Sequence, residues 1–361
     1  MSLSPRSRAW IGVALALVLV SGAAGAQEPL PGLADVFLAP DDPPGGATIY
    51  FVDALTGLST VVSVADGTDF TLSGDAVIYR KTLSGAIMRV RASGAIEPHP
   101  FLRWSPDLAS LNWVVSPDGD AIAWVEQGID GSTHSYLALA DGSDRRELPL
   151  PAPPAGTRLV PVALADKLAL FVYDAAAPLE PAAGTPYTVV HAPRVYDPLG
   201  EAFIPFDDAL PCPCATGISA NGRWIARLQA PGGSGPFALN LSDSGSGAAV
   251  RLQPPALDFR LAGDVVVSAT GTLAAYSVAS GTGESGPVQY GVVLADARAR
   301  QQWLVVSSGA VRMRPIRFTD QDAALLLADA AQGGTHKLEL ATGQLTRVSH
   351  RTYLGTVALD R

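Results

Sequence analysis

The chain has 361 residues, 48% of them hydrophobic and 16% charged, with a formal net charge of −9. This composition builds a large core and excludes a disordered chain. With no basic run to neutralise phosphates, nucleic acid is excluded as the expected partner.

The first 26 residues read as a leader rather than as fold. Arg6 and Arg8 give a positive start, Trp10 to Val20 an apolar run of 11 residues, and Ala24-Gly25-Ala26 a small-x-small cleavage site. This is the pattern of a secretory signal peptide, and the run is short for a bilayer span. Export to the periplasm or exterior is expected, with residues 27–361 as one domain and no membrane span once the leader is removed.

Along the rest of the chain, two modules alternate. "LADVFLA" (Leu33 to Ala39) is strand-length. After the loop "APDDPPGGA" comes a hairpin, "IYFVDALTGLSTVVSV", from Ile49. Hairpins of this outer kind recur from Ile87, Tyr136, Arg194, Phe237, Tyr290 and His336. Each is an apolar strand, a tight turn usually holding Gly, and a more polar strand. Between them lie inner hairpins: "LSGDAVIYR" from Leu72, "LNWVVSPDGDAIAWVE" from Leu111, "ISANGRWIARL" from Ile218 and "VSATGTLAAYSV" from Val267. "VALADKLALFVY" from Val162 and "IRFTDQDAALLLA" from Ile316 are weaker copies. In the Ser116 copy, Pro117 presets φ for a turn, and Asp118 and Gly119 suit its later corners. The flanking runs are apolar on both faces, so they must be covered on both faces.

The spacing gives the architecture. Ser219 and Ser268 are 49 residues apart, Ser268 and Thr319 are 51 apart, and Ser116 to Ser219 is two such steps. A period near ~50 in strand-rich sequence marks propeller blades. Seven outer hairpins stand against six inner ones. Placing "YLGTVAL" (Tyr353 to Leu359) beside Leu33 to Ala39 completes the first blade and closes the ring, removing two open sheet edges. The expectation is an all-β, seven-bladed β-propeller, with six or eight blades left open by the long, irregular stretch Arg158 to Phe206.

The Ser-Pro-Asp-Gly turn followed by an apolar, aromatic-tipped strand resembles the WD40-like repeats of the TolB-type propellers. Similar blades occur in the propeller domains of prolyl oligopeptidases and dipeptidyl peptidases. The resemblance rests on the copies at Ser116 and Ser219 and speaks to fold. Two departures stand beside it. TolB-type proteins carry an α/β domain before the propeller and the peptidases an α/β-hydrolase domain, and the sequence reads as neither.

Chemistry is sparse. No G-x-S-x-G pentapeptide marks a hydrolase elbow, and Ser219 reads as a turn residue. "SPDGDAIAW" is near the S-x-D-x-G-x-x-W box of sialidase-like propellers, but Gly119 falls one residue early. His99, His134, His191, His336 and His350 show no paired metal-ligand spacing. Asp41-Asp42, Asp207-Asp208 and Asp320/Asp322 read as turn carboxylates, with a divalent ion such as Ca²⁺ in the funnel as the alternative; no cofactor is expected. The two cysteines, Cys212 and Cys214 in "PCPC", are expected to form a disulfide in an oxidising compartment, free thiols being the alternative. Asn240-Leu241-Ser242 is a glycosylation sequon. Trp104 and Tyr187 are candidate contact points or blade-packing aromatics. The leading expectation is a non-enzymatic protein-binding or scaffold propeller whose partner is an envelope or extracellular protein. An enzyme or small-ligand binder of lactonase, lyase or glycosidase type, with its site in the central funnel, is the alternative.

Overall fold

Strands supply almost every element of the computed structural model, and the described residues contain no helix. Those residues are 32–359 except 41–44, 152, 154–157, 166–170, 175–186, 188–189, 192, 205–212, 230–237, 256–257, 282–286 and 331–332. The expected leader, Asp41, Asp42, Asp207, Asp208 and Cys212 therefore lie outside them, as do the side chains of His191 and Cys214.

The described strands form seven sheets. Blade one is Thr352–Leu359, Gly32–Pro40, Ala47–Asp53 and Ser59–Val64, in that order from the axis outward. Blades two and three start from the inner strands Thr68–Ser73 and Leu108–Val115, blade four from Val160–Leu164. Blades five, six and seven start from Pro213–Ile218, Leu261–Val267 and Met313–Thr319. Blade five carries one extra strand, Val190–His191, paired on the axial side of Pro213–Ile218 through Val190 opposite Cys214. The inner strand of each blade packs on that of the next. Ala324–Asp329 of blade seven then meets Thr352–Leu359 of blade one, and the ring is closed.

The closing pair is antiparallel, with Gly32 opposite Leu359 and Asp35 opposite Thr356. The seven-blade expectation and the position of the last strand are both borne out. The irregular fourth unit does form a blade, Val160–Leu164, Phe171–Asp174, Pro193–Asp197 and Ala202–Ile204.

Burial explains why two-faced apolar strands recur. Second strands such as Ala324–Asp329 and Leu273–Ala279 are buried on both faces, because a neighbouring blade lies against each. Outermost strands such as Gln344–Ser349 are exposed almost throughout. Asn240 of the sequon sits mid-strand, opposite both Arg227 and Arg251, a poor position for an acceptor that needs a surface loop.

Local chemistry in the inner turns accounts for the repeat. In blade three, the Ser116 hydroxyl donates to Asp118 Oδ1 at 2.6 Å and accepts the Ala121 N–H at 3.0 Å. In blade five, Ser219 donates to Asn221 Oδ1 at 2.7 Å and accepts the Trp224 N–H at 2.9 Å. In blade six, Ser268 accepts the Leu273 N–H at 3.1 Å, and Thr270 takes the Asp/Asn place. Gly119, Gly222 and Gly271 follow with φ of 83°, 68° and 68°. A small polar side chain that bonds its own turn, then a residue free of Cβ, is what this turn requires.

Candidate functional site: the mouth of the central channel

Because neighbouring strands are antiparallel, every turn from first to second strand leaves the same end of the ring. Backbone and side-chain bonds tie these turns blade to blade on that face. The Gly74 N–H donates to Gly119 O at 2.7 Å, Asn221 Nδ2 to Ala269 O at 3.0 Å, and the Thr270 hydroxyl to Asp322 Oδ2 at 2.9 Å.

At the centre of this turn face lie two adjoining cavities of about 450 and 370 Å³. Both are lined by Pro117 and Asp118 of blade three and by Ile316 and Arg317 of blade seven. Blades three and seven are not neighbours in the ring, so a cavity shared between them lies on the axis. Tyr353 and Thr356 of blade one and Thr71 of blade two wall one side; Val265 of blade six and Asp322 wall the other. The volumes fall within the range of small-ligand pockets.

The strongest polar feature of the mouth is a relay that starts at Arg317. Its Nη2 donates to the Tyr353 hydroxyl at 2.7 Å, and its guanidinium lies 4.9 Å from the centre of the Tyr353 ring. Thr356 donates to Asp35 Oδ1 at 2.8 Å. The Tyr353 hydroxyl lies 2.8 Å from the Thr356 hydroxyl and donates to Asp35 Oδ1 at 3.4 Å. Burial holds the Tyr353 hydroxyl above its usual range, so it stays protonated and keeps a proton to donate toward Asp35. Arg317 itself is exposed to the cavity. Among the described residues no carboxylate lies within 4.0 Å of it.

The residues singled out from sequence are placed as follows. Tyr187 is buried at 1% exposure, packed on Gly263 and on the Arg312 guanidinium, 4.8 Å from its ring. Trp104 is half-buried; Gly85 lies beneath its ring and Arg80 is 5.9 Å from the ring centre. Both are packing aromatics. His99 is buried and its Nδ1 accepts the Leu102 N–H at 3.0 Å. Burial, helped by the Arg89 charge, pushes it down to about 4. His134 pairs with Glu147 at 2.8 Å on blade three, and His336 lies in the third strand of blade seven. Asp320 pairs with Lys337 at 2.7 Å, and Asp322 accepts from Thr270. Among the described residues no three His, Cys, Asp or Glu side chains come together as a metal-binding group. Arg317 and Tyr353 carry no local sequence signal; two blades contribute them, and only their arrival at one axis marks them.

No protein-family model matches the chain, and no curated protein matches it. Solved structures do. An oligogalacturonate lyase from Vibrio parahaemolyticus is similar with a TM-score of 0.56 and 10% identity, covering 86% of this chain and 90% of that one. An oligogalacturonate lyase in complex with manganese is similar at 0.55 and 13% identity, covering 81% of each chain. TolB from Acinetobacter baumannii is among the neighbours, at 0.43 and 16% identity, covering 77% of this chain and 64% of that one. The likeness that carries weight is the one to the lyases. At these identities the likeness is one of fold.

Proposed function

We propose that the chain is an exported, non-enzymatic binding propeller that engages an envelope or extracellular protein at the channel mouth of its turn face. One observation carries this reading. Side chains from several blades frame an open axial cavity with charges of both signs, Arg317 against Asp118 and Asp322. Loops held on a rigid scaffold around one opening suit recognition. Export rests on the leader pattern of residues 1–26. No helix among the described residues is long and apolar enough to cross a membrane.

Cross-linked pull-down of residues 27–361 from envelope and secreted fractions, read by mass spectrometry, tests the reading. A stoichiometric partner competed by unlabelled protein is the expected result. Repeated absence of any partner for demonstrably folded protein overturns it. The second reading is an enzyme of lactonase, lyase or glycosidase type using the same cavity, which the pocket volume favours. The manganese of the similar lyase belongs to that protein. Turnover lost on chelation is the result that would move the assignment to this second reading.

A further inference from the structure

We infer that the Arg317–Tyr353 pair is the seat for a carboxylate carried by an extended peptide segment that enters the channel mouth. The inference rests on the binding reading above and gives that site its ligand chemistry.

Four observations combine. The Arg317 guanidinium faces the two axial cavities and has no carboxylate partner among the described residues. A planar guanidinium presents parallel N–H donors that match a carboxylate in bidentate fashion. Its orientation is fixed before any ligand arrives, by the Tyr353 hydroxyl at 2.7 Å and by the ring below it. The hydroxyl is itself held by Thr356, and Thr356 by Asp35, so the donor fork rests on a built support rather than on a free side chain.

The rest of the lining selects among anions. Asp118 lines both cavities and Asp322 one of them, so the mouth repels a ligand that is negative along its whole length. A uronate oligosaccharide has that character. A peptide carrying one carboxylate, with neutral or basic neighbours, satisfies Arg317 and tolerates the aspartates.

Fluorescence anisotropy with three fluorescein-labelled peptides of equal length tests this. One has a central Glu and an amidated end; one has neutral side chains and a free C-terminal carboxylate; one has neither. Saturable binding of the first or second is expected, and which of them binds separates a side-chain carboxylate from a chain terminus. Arg317→Gln should weaken that binding by about tenfold or more, with an unchanged melting temperature showing that the ring is intact. Asp118→Asn, which removes a negative charge from the mouth, should tighten it. Equal binding of the third peptide, unchanged affinity in Arg317→Gln, saturation by a galacturonate trimer alone, or no saturable binding at millimolar concentration would each overturn the inference. The pull-down separates the two levels. A partner captured equally by wild type and Arg317→Gln keeps the binding reading and removes this site; no partner with either removes the reading.

Discussion

The Thr270 hydroxyl of blade six donates to the Asp322 carboxylate of blade seven at 2.9 Å. Asp320, Gln321 and Asp322 all have positive φ, at 53°, 55° and 70°. Blades three, five and six place a glycine in the corresponding turn; blade seven holds three residues with side chains in a region that disfavours them. Thr270 and Lys337, which reaches Asp320 at 2.7 Å, hold that turn from outside. Thr270→Val should cost about 1 kcal/mol in urea unfolding, and Gln321→Gly should recover a similar amount, about 1 kcal/mol. A neutral Thr270→Val would show that the neighbouring blade does not support this turn.

Two glycines with nearly equal φ separate backbone strain from steric clash. At Gly271 a Cβ would lie 2.0 Å from the Trp224 ring, while at Gly247 nothing lies within 4 Å. Gly247→Ala should cost about 1 kcal/mol, the left-handed penalty alone. Gly271→Ala should cost about 3 kcal/mol or more, because an indole wedged between blades five and six has to move. Equal destabilisation of the two in chemical unfolding would refute the close packing of the turn on Trp224.

His99 makes stability fall with acid. It is 2% exposed and its folded-state value is near 4, set first by burial and then by the Arg89 charge. An unfolded histidine titrates near ~6.5. The folded state therefore refuses a proton that the unfolded chain accepts. Its contribution is complete above about pH 6.5 and lost progressively as the pH falls toward about 4. The full swing is on the order of 3 kcal/mol. His99→Gln should flatten this part of the profile in unfolding measured between those limits. An unchanged slope would place the acid sensitivity elsewhere.

Deleting 352–361 removes the inner strand of blade one and opens both the Gly32–Pro40 edge and the seam against blade seven. The shortened chain should lose cooperative unfolding and self-associate, since an unpaired strand edge is a template for pairing. A synthetic peptide of residues 350–361 should restore a monomeric, cooperative transition. A truncated chain that stays monomeric with an unchanged melting temperature would contradict closure by this strand.

The fold was legible because its repeating unit is written in local chemistry. Ser116, Ser219 and Ser268 each bond the main chain five residues on, so the same short pattern had to reappear wherever a blade turned. The closing strand was legible by elimination, since Tyr353 to Leu359 had no hairpin partner next to it. The mouth was not legible. Arg317 looks like any polar residue on an edge strand, and Tyr353 like any aromatic of a strand. Their contact depends on the seventh blade arriving beside the first. Tyr187 reads from sequence as a contact point or a packing aromatic alike; its place against Gly263 of blade six makes it the second.

The antiparallel match of Gly32 with Leu359 has a kinetic meaning. Six of the blades draw their strands from contiguous stretches of chain, apart from the short added strand of blade five, whereas the first must wait for residues 352–359. Contacts of such sequence separation are slow to form. For a chain made from its N-terminus, the inner edge of Gly32–Pro40 stays unpaired until residues 352–359 are in place. Keeping that one edge apart from other chains until the closing strand pairs is then the step on which yield of the folded protein depends.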